Sequence, residues 1–215
     1  MFGCSGQQGN AADGNGAAQA QITTPTTQAE GTPVADFPTF FEMSKKNGWK
    51  IEMEISTNVP GLPMLRVTQY HMNGNKRVDT INNGSESRDY DLQSQYVTCT
   101  GDSAGTWECF DISDTVNRVV LDASGYVDNN PSKYSFVPDG SVQIAGISAT
   151  CFKSDDVEGY GIRYCFAPDG AILYTKAGTQ GTYAGNPIET EMKAVSYSTQ
   201  VSGTDFVPPA TPQKR

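Results

Sequence analysis

The stretch Cys151–Tyr174, CFKSDDVEGYGIRYCFAPDGAILY, constrains the fold more than any other part of the chain. It reads as two hairpins in succession. A strand over Ala149–Lys153 enters an acidic, Gly-containing turn, a strand over Tyr160–Ala167 returns, and Pro168-Asp169-Gly170 leads into a third strand, Ala171–Lys176. Proline presets φ for the first corner of a turn and glycine supplies positive φ, so this tripeptide between apolar runs marks a turn. Cys151 and Cys165 then face each other across the first hairpin. Cys99 and Cys109 bracket a second hairpin in the same way. Closing loops of this size contributes roughly 2.5–3 kcal/mol each in the chain-entropy model. Neither pair has CxxC spacing and the chain has a single histidine, His71, so disulfides are expected rather than a metal site. Two disulfides imply an oxidising, extracytoplasmic compartment.

The rest of the chain agrees with an antiparallel β protein. Trp49, Ile51, Met53 and Ile55 alternate with Lys50, Glu52 and Glu54, the cleanest strand pattern in the sequence. Strands Leu65–Met72 and Lys76–Ile81 flank Asn73-Gly74-Asn75, a tight-turn signal. Arg88–Thr98 reads as one strand, and Pro138-Asp139-Gly140 as a further turn. In the last long strand, Ile188–Val201, the apolar face changes parity between Met192 and Val195, which predicts a bulge. Two segments are helical in pattern. Phe37, Phe40, Phe41 and Ser44 share a face over Asp36–Asn47, with Pro38 suited to the first turn. Val116, Val119, Val120, Ala123 and Val127 do so over Asp114–Val127. The expectation is a mainly β (α+β) domain over 37–210. It is a large curved antiparallel sheet, a half-barrel of eight to eleven strands, with about two helices on its concave face. Residues 211–215 form a disordered tail.

Residues 1–36 are Gly, Ala, Gln, Thr, Asn and Pro with almost no large apolar side chain, the composition of a flexible tether. A coil of that length spans about 30 Å. Within Met1-Phe2-Gly3-Cys4-Ser5-Gly6, a Gly before Cys followed by a small residue resembles the end of a lipobox. The resemblance makes Cys4 a lipidation site and a membrane anchor. Asn83-Gly84-Ser85 is an N-glycosylation sequon on Asn83.

The order of features resembles the LolA/LolB and LppX-like lipoprotein-carrier superfamily, and small archaeal and bacterial lipoproteins of that layout. The resemblance is carried by FFEMSKKNGWK from Phe40 to Lys50, by MNGNKRVD from Met72 to Asp79, and by the close YSTQVSGTDFVPP from Tyr197 to Pro209. It implies an open half-barrel that cradles a lipid beneath helical lids. Phe40, Phe41, Trp49, Met53, Val116, Val119 and Val120 are the residues expected to line that cavity. The hairpin stapled by Cys151–Cys165 would be its rigid wall, with opening around Phe40 and Val119, away from the staple. A binding site of this kind gains roughly 0.8 kcal/mol per methylene sequestered.

Other chemistries find less support. Gly101-Asp102-Ser103-Ala104-Gly105 matches G-x-S-x-G, but a strand follows it where a nucleophile elbow needs a helix. The carboxylates of Asp155-Asp156-Val157-Glu158 and Asp111–Asp114 lack the spacing of a calcium loop. A net charge of −9 sets the chain against nucleic acid. The sequence therefore reads as a surface-anchored, non-enzymatic lipoprotein without cofactor or metal, binding or transferring a lipid or other hydrophobic ligand. The alternative is a structural extracellular subunit that assembles as a homo-oligomer, its uncharged Ala17–Thr27 arm adding a strand to a neighbour.

Overall fold

A computed structural model describes residues 36–82, 84–114, 134–155 and 161–214. Cys4, Asn83, Val116, Val119 and Val120 lie outside the described residues, as does all but the first residue of the second predicted helix. Ala35–Arg215 forms one compact unit.

The only α-helix among the described residues, α1 (Phe37–Lys46), has the cap and the face its sequence dictates. Asp36 accepts a hydrogen bond from the Thr39 amide at 3.0 Å, Pro38 occupies the first turn, and Lys45 and Lys46 complement the dipole at the last. Its buried residues are Phe37, Phe40, Phe41 and Ser44, the four set apart by helical spacing.

Among the described residues twelve strands follow in one open curved sheet. In chain order they are β1 (Trp49–Thr57), β2 (Leu65–Met72), β3 (Asn75–Asn82), β4 (Ser85–Leu92), β5 (Gln95–Gly101) and β6 (Trp107–Asp111). Then come β7 (Val137–Ile144), β8 (Ile147–Asp155), β9 (Gly161–Phe166), β10 (Ile172–Tyr183), β11 (Asn186–Ser198) and β12 (Gln213–Lys214). The spatial order is β12-β6-β5-β4-β3-β2-β1-β11-β10-β9-β8-β7, so the first and last meanders meet where β1 pairs with β11. Among the described residues every pairing is antiparallel except the short parallel one of β12 with β6.

Several local expectations are met. Asn73 and Gly74 turn β2 into β3 with φ of 51° and 77°. Cys99 stands opposite Cys109 and Cys151 opposite Cys165, and both pairs are disulfide-bonded. The bulge in β11 falls at Val195, because Ala194 pairs with Met53 while Ser196 pairs with Glu52.

Others are corrected. The single strand Arg88–Thr98 is two, β4 and β5, joined at Gln93–Ser94, a turn that carries neither Gly nor Pro to announce it. Pro138-Asp139-Gly140 does not reverse the chain. It is a bulge within β7, and the reversal comes at Ala145-Gly146, where both residues have positive φ. The segment expected as a tail contains β12. Before reaching β6, the C-terminal stretch lays Phe206 against the protein, in a 3-10 turn (Gly203–Phe206) that contacts β3.

Candidate functional site

The described residues form three apolar clusters. The first is aromatic and lies between α1 and strands β8–β10: Phe37, Phe40 and Phe41 pack against Phe152, Ile162, Tyr164, Phe166 and Ile172. Phe37 stacks on Phe136 with ring centroids 3.7 Å apart, and Phe40 stacks on Phe166 at 5.5 Å. Alternation along β8 and β9 places Phe152, Tyr164 and Phe166 on the face that receives the helix. Phe40 thus packs on the residues flanking Cys151 and Cys165, so the helix rests on the stapled hairpin and not away from it.

The second cluster joins Trp49, Ile51 and Met53 of β1 to Val67 of β2, Ala194 of β11 and the buried disulfide Cys151–Cys165. The third gathers Tyr90 and Val97 around Cys99–Cys109, with Ala210 of the C-terminal stretch packed on it. Of the residues expected to line one cavity, Phe40 and Phe41 belong to the first cluster, and Trp49 and Met53 to the second.

The C-terminal end of α1 is fixed to the sheet. The Asn47 side-chain amide donates to the Asp169 carbonyl at 2.5 Å, and the Trp49 indole donates to the Ser44 carbonyl at 3.2 Å. Beside them the Tyr197 hydroxyl donates to the Asp169 carboxylate, and burial, helped by that bond, pushes the phenol's pKa up. Gly170 closes the turn with φ of 92°, and a Cβ there would stand 2.5 Å from that of Met43. His71 is buried, stacked on Trp49, with Nδ1 2.9 Å from the Asn47 carbonyl.

Another face of β1–β4 carries a shallow groove of about 210 Å³, lined by Glu52, Arg66, Thr68, Asp79, Glu86, Ile81 and Val195, among others. Arg66 is paired with Glu54 at 2.6 Å and Glu86 with Arg88 at 2.8 Å, whereas Glu52 has no ion-pair partner among the described residues. Asp79 is held bidentately by Arg77, at 2.6 and 2.5 Å, and both side chains are nearly buried. Burial raises the Asp79 carboxyl above its ordinary value even against the pull of Arg77. Arg77 stacks over Tyr70 at 4.5 Å and donates to the Asp205 carbonyl at 2.8 Å, tying down the C-terminal stretch. Sequence reading passed over this cluster. Its signal was a pair of opposite charges, Arg77 and Asp79, two residues apart and so on one face of β3.

The G-x-S-x-G motif forms the β5–β6 turn. The Asp102 carboxylate caps it by accepting from the Ala104 and Thr106 amides at 2.9 and 2.8 Å. The strand pairings put that turn and His71 at opposite ends of the sheet. No group of three potential metal ligands gathers among the described residues.

No protein-family model matches the chain, and no curated protein does. Solved structures do. MucB matches at 12% identity over 80% of this chain and 61% of its own, with a TM-score of 0.53. The Pseudomonas aeruginosa MucA/MucB complex matches at 12% identity over 80% and 59%, with a TM-score of 0.52. At such identity the likeness is one of fold, and the chain spans about three-fifths of the MucB length. A LolA superfamily protein from Nitrosomonas europaea also matches, at 9% identity over 81% of this chain and 99% of its own. It comes from the superfamily that the sequence motifs resemble, but its TM-score of 0.37 carries no argument. None of the three is described as archaeal, and that part of the resemblance gains nothing from them.

Proposed function

We propose that the domain is an extracytoplasmic, non-catalytic binding module that holds a lipid or another hydrophobic ligand between its curved sheet and the helix above it. The observation that carries this reading is the seam under α1. The helix is fastened by polar contacts at its C-terminal end, at Asn47 and Trp49, whereas Phe37 at the other end is held by ring stacking. Such an arrangement suits a lid. An acyl or isoprenoid chain sliding beneath the N-terminal end would exchange aromatic contacts for equivalent apolar ones, at little cost in desolvation. The two disulfides support residence in an oxidising compartment, and lipidation at Cys4 would hold the domain at a membrane surface. The capped hairpin tip at Ser103, remote from His71, supports a role without catalysis.

Native mass spectrometry with lipid extraction of the purified chain tests the proposal. Expected is a co-purifying lipid, or uptake of a fluorescent fatty acid that Phe37→Ala and Phe40→Ala alter. An empty protein that takes up no such probe would sink it.

One observation favours a second reading. Glu52 has no cation partner among the described residues and stands in a groove flanked by Ile81 and Val195, a combination suited to an aliphatic stem ending in a positive charge. A partner polypeptide presenting Lys or Arg would bind there; the fold neighbour MucB is solved in complex with a protein, MucA. Under this reading Glu52→Lys abolishes partner capture and leaves lipid content unchanged.

A further inference from the structure

The strand register brings five connections to one end of the sheet, in the order β5–β6, β3–β4, β1–β2, β10–β11 and β8–β9, and the middle three form a continuous stretch. Ile55 pairs with Leu65, Thr57 with Thr190, Asn82 with Ser85, and Tyr183 with Asn186. The β1–β2 loop, the β3–β4 turn and the β10–β11 turn are therefore neighbours on one rim. Asn58 fastens the first to the last, donating to the Pro187 carbonyl at 2.9 Å and accepting from the Glu189 amide at 3.0 Å.

All three connections are without charge. No Asp, Glu, Lys or Arg occurs between Glu54 and Arg66, between Asp79 and Glu86, or between Lys176 and Glu189, in a chain of net charge −9. The nearest charges stand back from the rim and are paired: Glu54 with Arg66, Glu86 with Arg88, and Lys176 with Glu189. On the same rim sit four large apolar side chains that the fold leaves in water. Leu62 is 61% exposed, Met64 53%, Ile81 65% and Tyr183 46%. Carboxylates return on both sides of this uncharged stretch, Asp102 in the β5–β6 turn and Asp155 at the end of β8.

We propose that this rim docks the domain on a lipid bilayer. Leu62, Met64 and Ile81 enter the boundary of the acyl chains, and Tyr183 lies at headgroup level, where an apolar ring with a polar tip is favoured. A protein partner of ordinary composition would not require three separate connections to be free of charge, whereas a hydrocarbon boundary penalises every charge brought to it. The occupant is therefore lipid. Because the protein is acidic, contact rests on apolar insertion rather than on attraction to anionic headgroups, and zwitterionic vesicles are the favoured partner. The inference stands on exposure and charge and does not depend on a lipid under α1.

The test is flotation of the full, unacylated chain with phosphatidylcholine vesicles. The wild type is expected to float, less as phosphatidylglycerol is added. Leu62→Asp and Met64→Asp should each lower partitioning roughly tenfold, the value of one such side chain leaving an apolar phase. Val207→Asp, equally exposed but in the C-terminal stretch, should leave it unchanged. Leu62→Trp should shift its emission to the blue with vesicles and be quenched by brominated acyl chains. Failure of the wild type to float, equal flotation of Leu62→Asp/Met64→Asp, or a Trp at position 62 silent to vesicles would each overturn the proposal. So would a glycan found on Asn83, between β3 and β4, because it would keep the rim from the bilayer.

Discussion

At the scale of single residues, two positions carry more of the fold than their size suggests. Gly170 combines a φ of 92° with a Cβ position occupied by the Met43 side chain and the Ser44 amide. Gly170→Ala should destabilise the domain by about 2 kcal/mol or more, since α1 must lift from the turn. Chemical denaturation would measure it, with Gly140→Ala, which has positive φ but open space, as the milder control. Arg77 and Asp79 form the other case. Asp79→Ala leaves a nearly buried guanidinium without its carboxylate and should cost about 3–5 kcal/mol, while Arg77→Met/Asp79→Leu should recover much of it. The pH dependence has a definite sign. The folded pKa of Asp79 is raised, so above the ordinary carboxylate value the folded state keeps a proton that the unfolded chain has lost. Its contribution to stability therefore falls as pH rises through that window. Urea unfolding from about pH 4 to about pH 7 should show the advantage of wild type over Asp79→Asn shrinking.

At the scale of elements, the stapled hairpins divide the work of order. Each disulfide joins directly opposed residues, with sequence separations of 10 and 14. Cys151→Ala/Cys165→Ala should cost about 3 kcal/mol in thermal or urea unfolding by loop entropy alone. It should also loosen α1, because Phe152 and Phe166 adjoin the bond and carry Phe37 and Phe40. The helix α1, strand β1, the Asn73-Gly74 turn, both disulfides and the β11 bulge were legible in the sequence. Each is specified by neighbours a few residues away. The β4–β5 turn was not, since Gln93 and Ser94 have no special backbone preference. That turn is accompanied by bonds made across the fold, the Gln93 amide to Asn75 and its side chain to the Asn73 carbonyl.

At the scale of the whole molecule, the open sheet is closed down by its own C-terminus. Phe206 is buried, Ala210 packs on the Cys99–Cys109 cluster, Asp205 meets Arg77, and β12 covers part of the β6 edge. Removing residues 202–215 should lower the melting temperature by about 5 °C or more, the equivalent of losing Phe206 burial alone. It should also expose the β6 edge to pairing with other chains, which light scattering would detect.

By itself the sequence determined the fold class, the oxidised cysteine pairs and the buried face of α1, because period, turn chemistry and cysteine spacing are local properties of the chain. The tertiary structure decided the rest. Alternation says which residues share a face, but not which strands adjoin or where a helix packs, so only the tertiary structure could divide Phe40 and Phe41 from Trp49 and Met53. Only the register, too, could gather Leu62, Ile81 and Tyr183, far apart in sequence, on one uncharged rim.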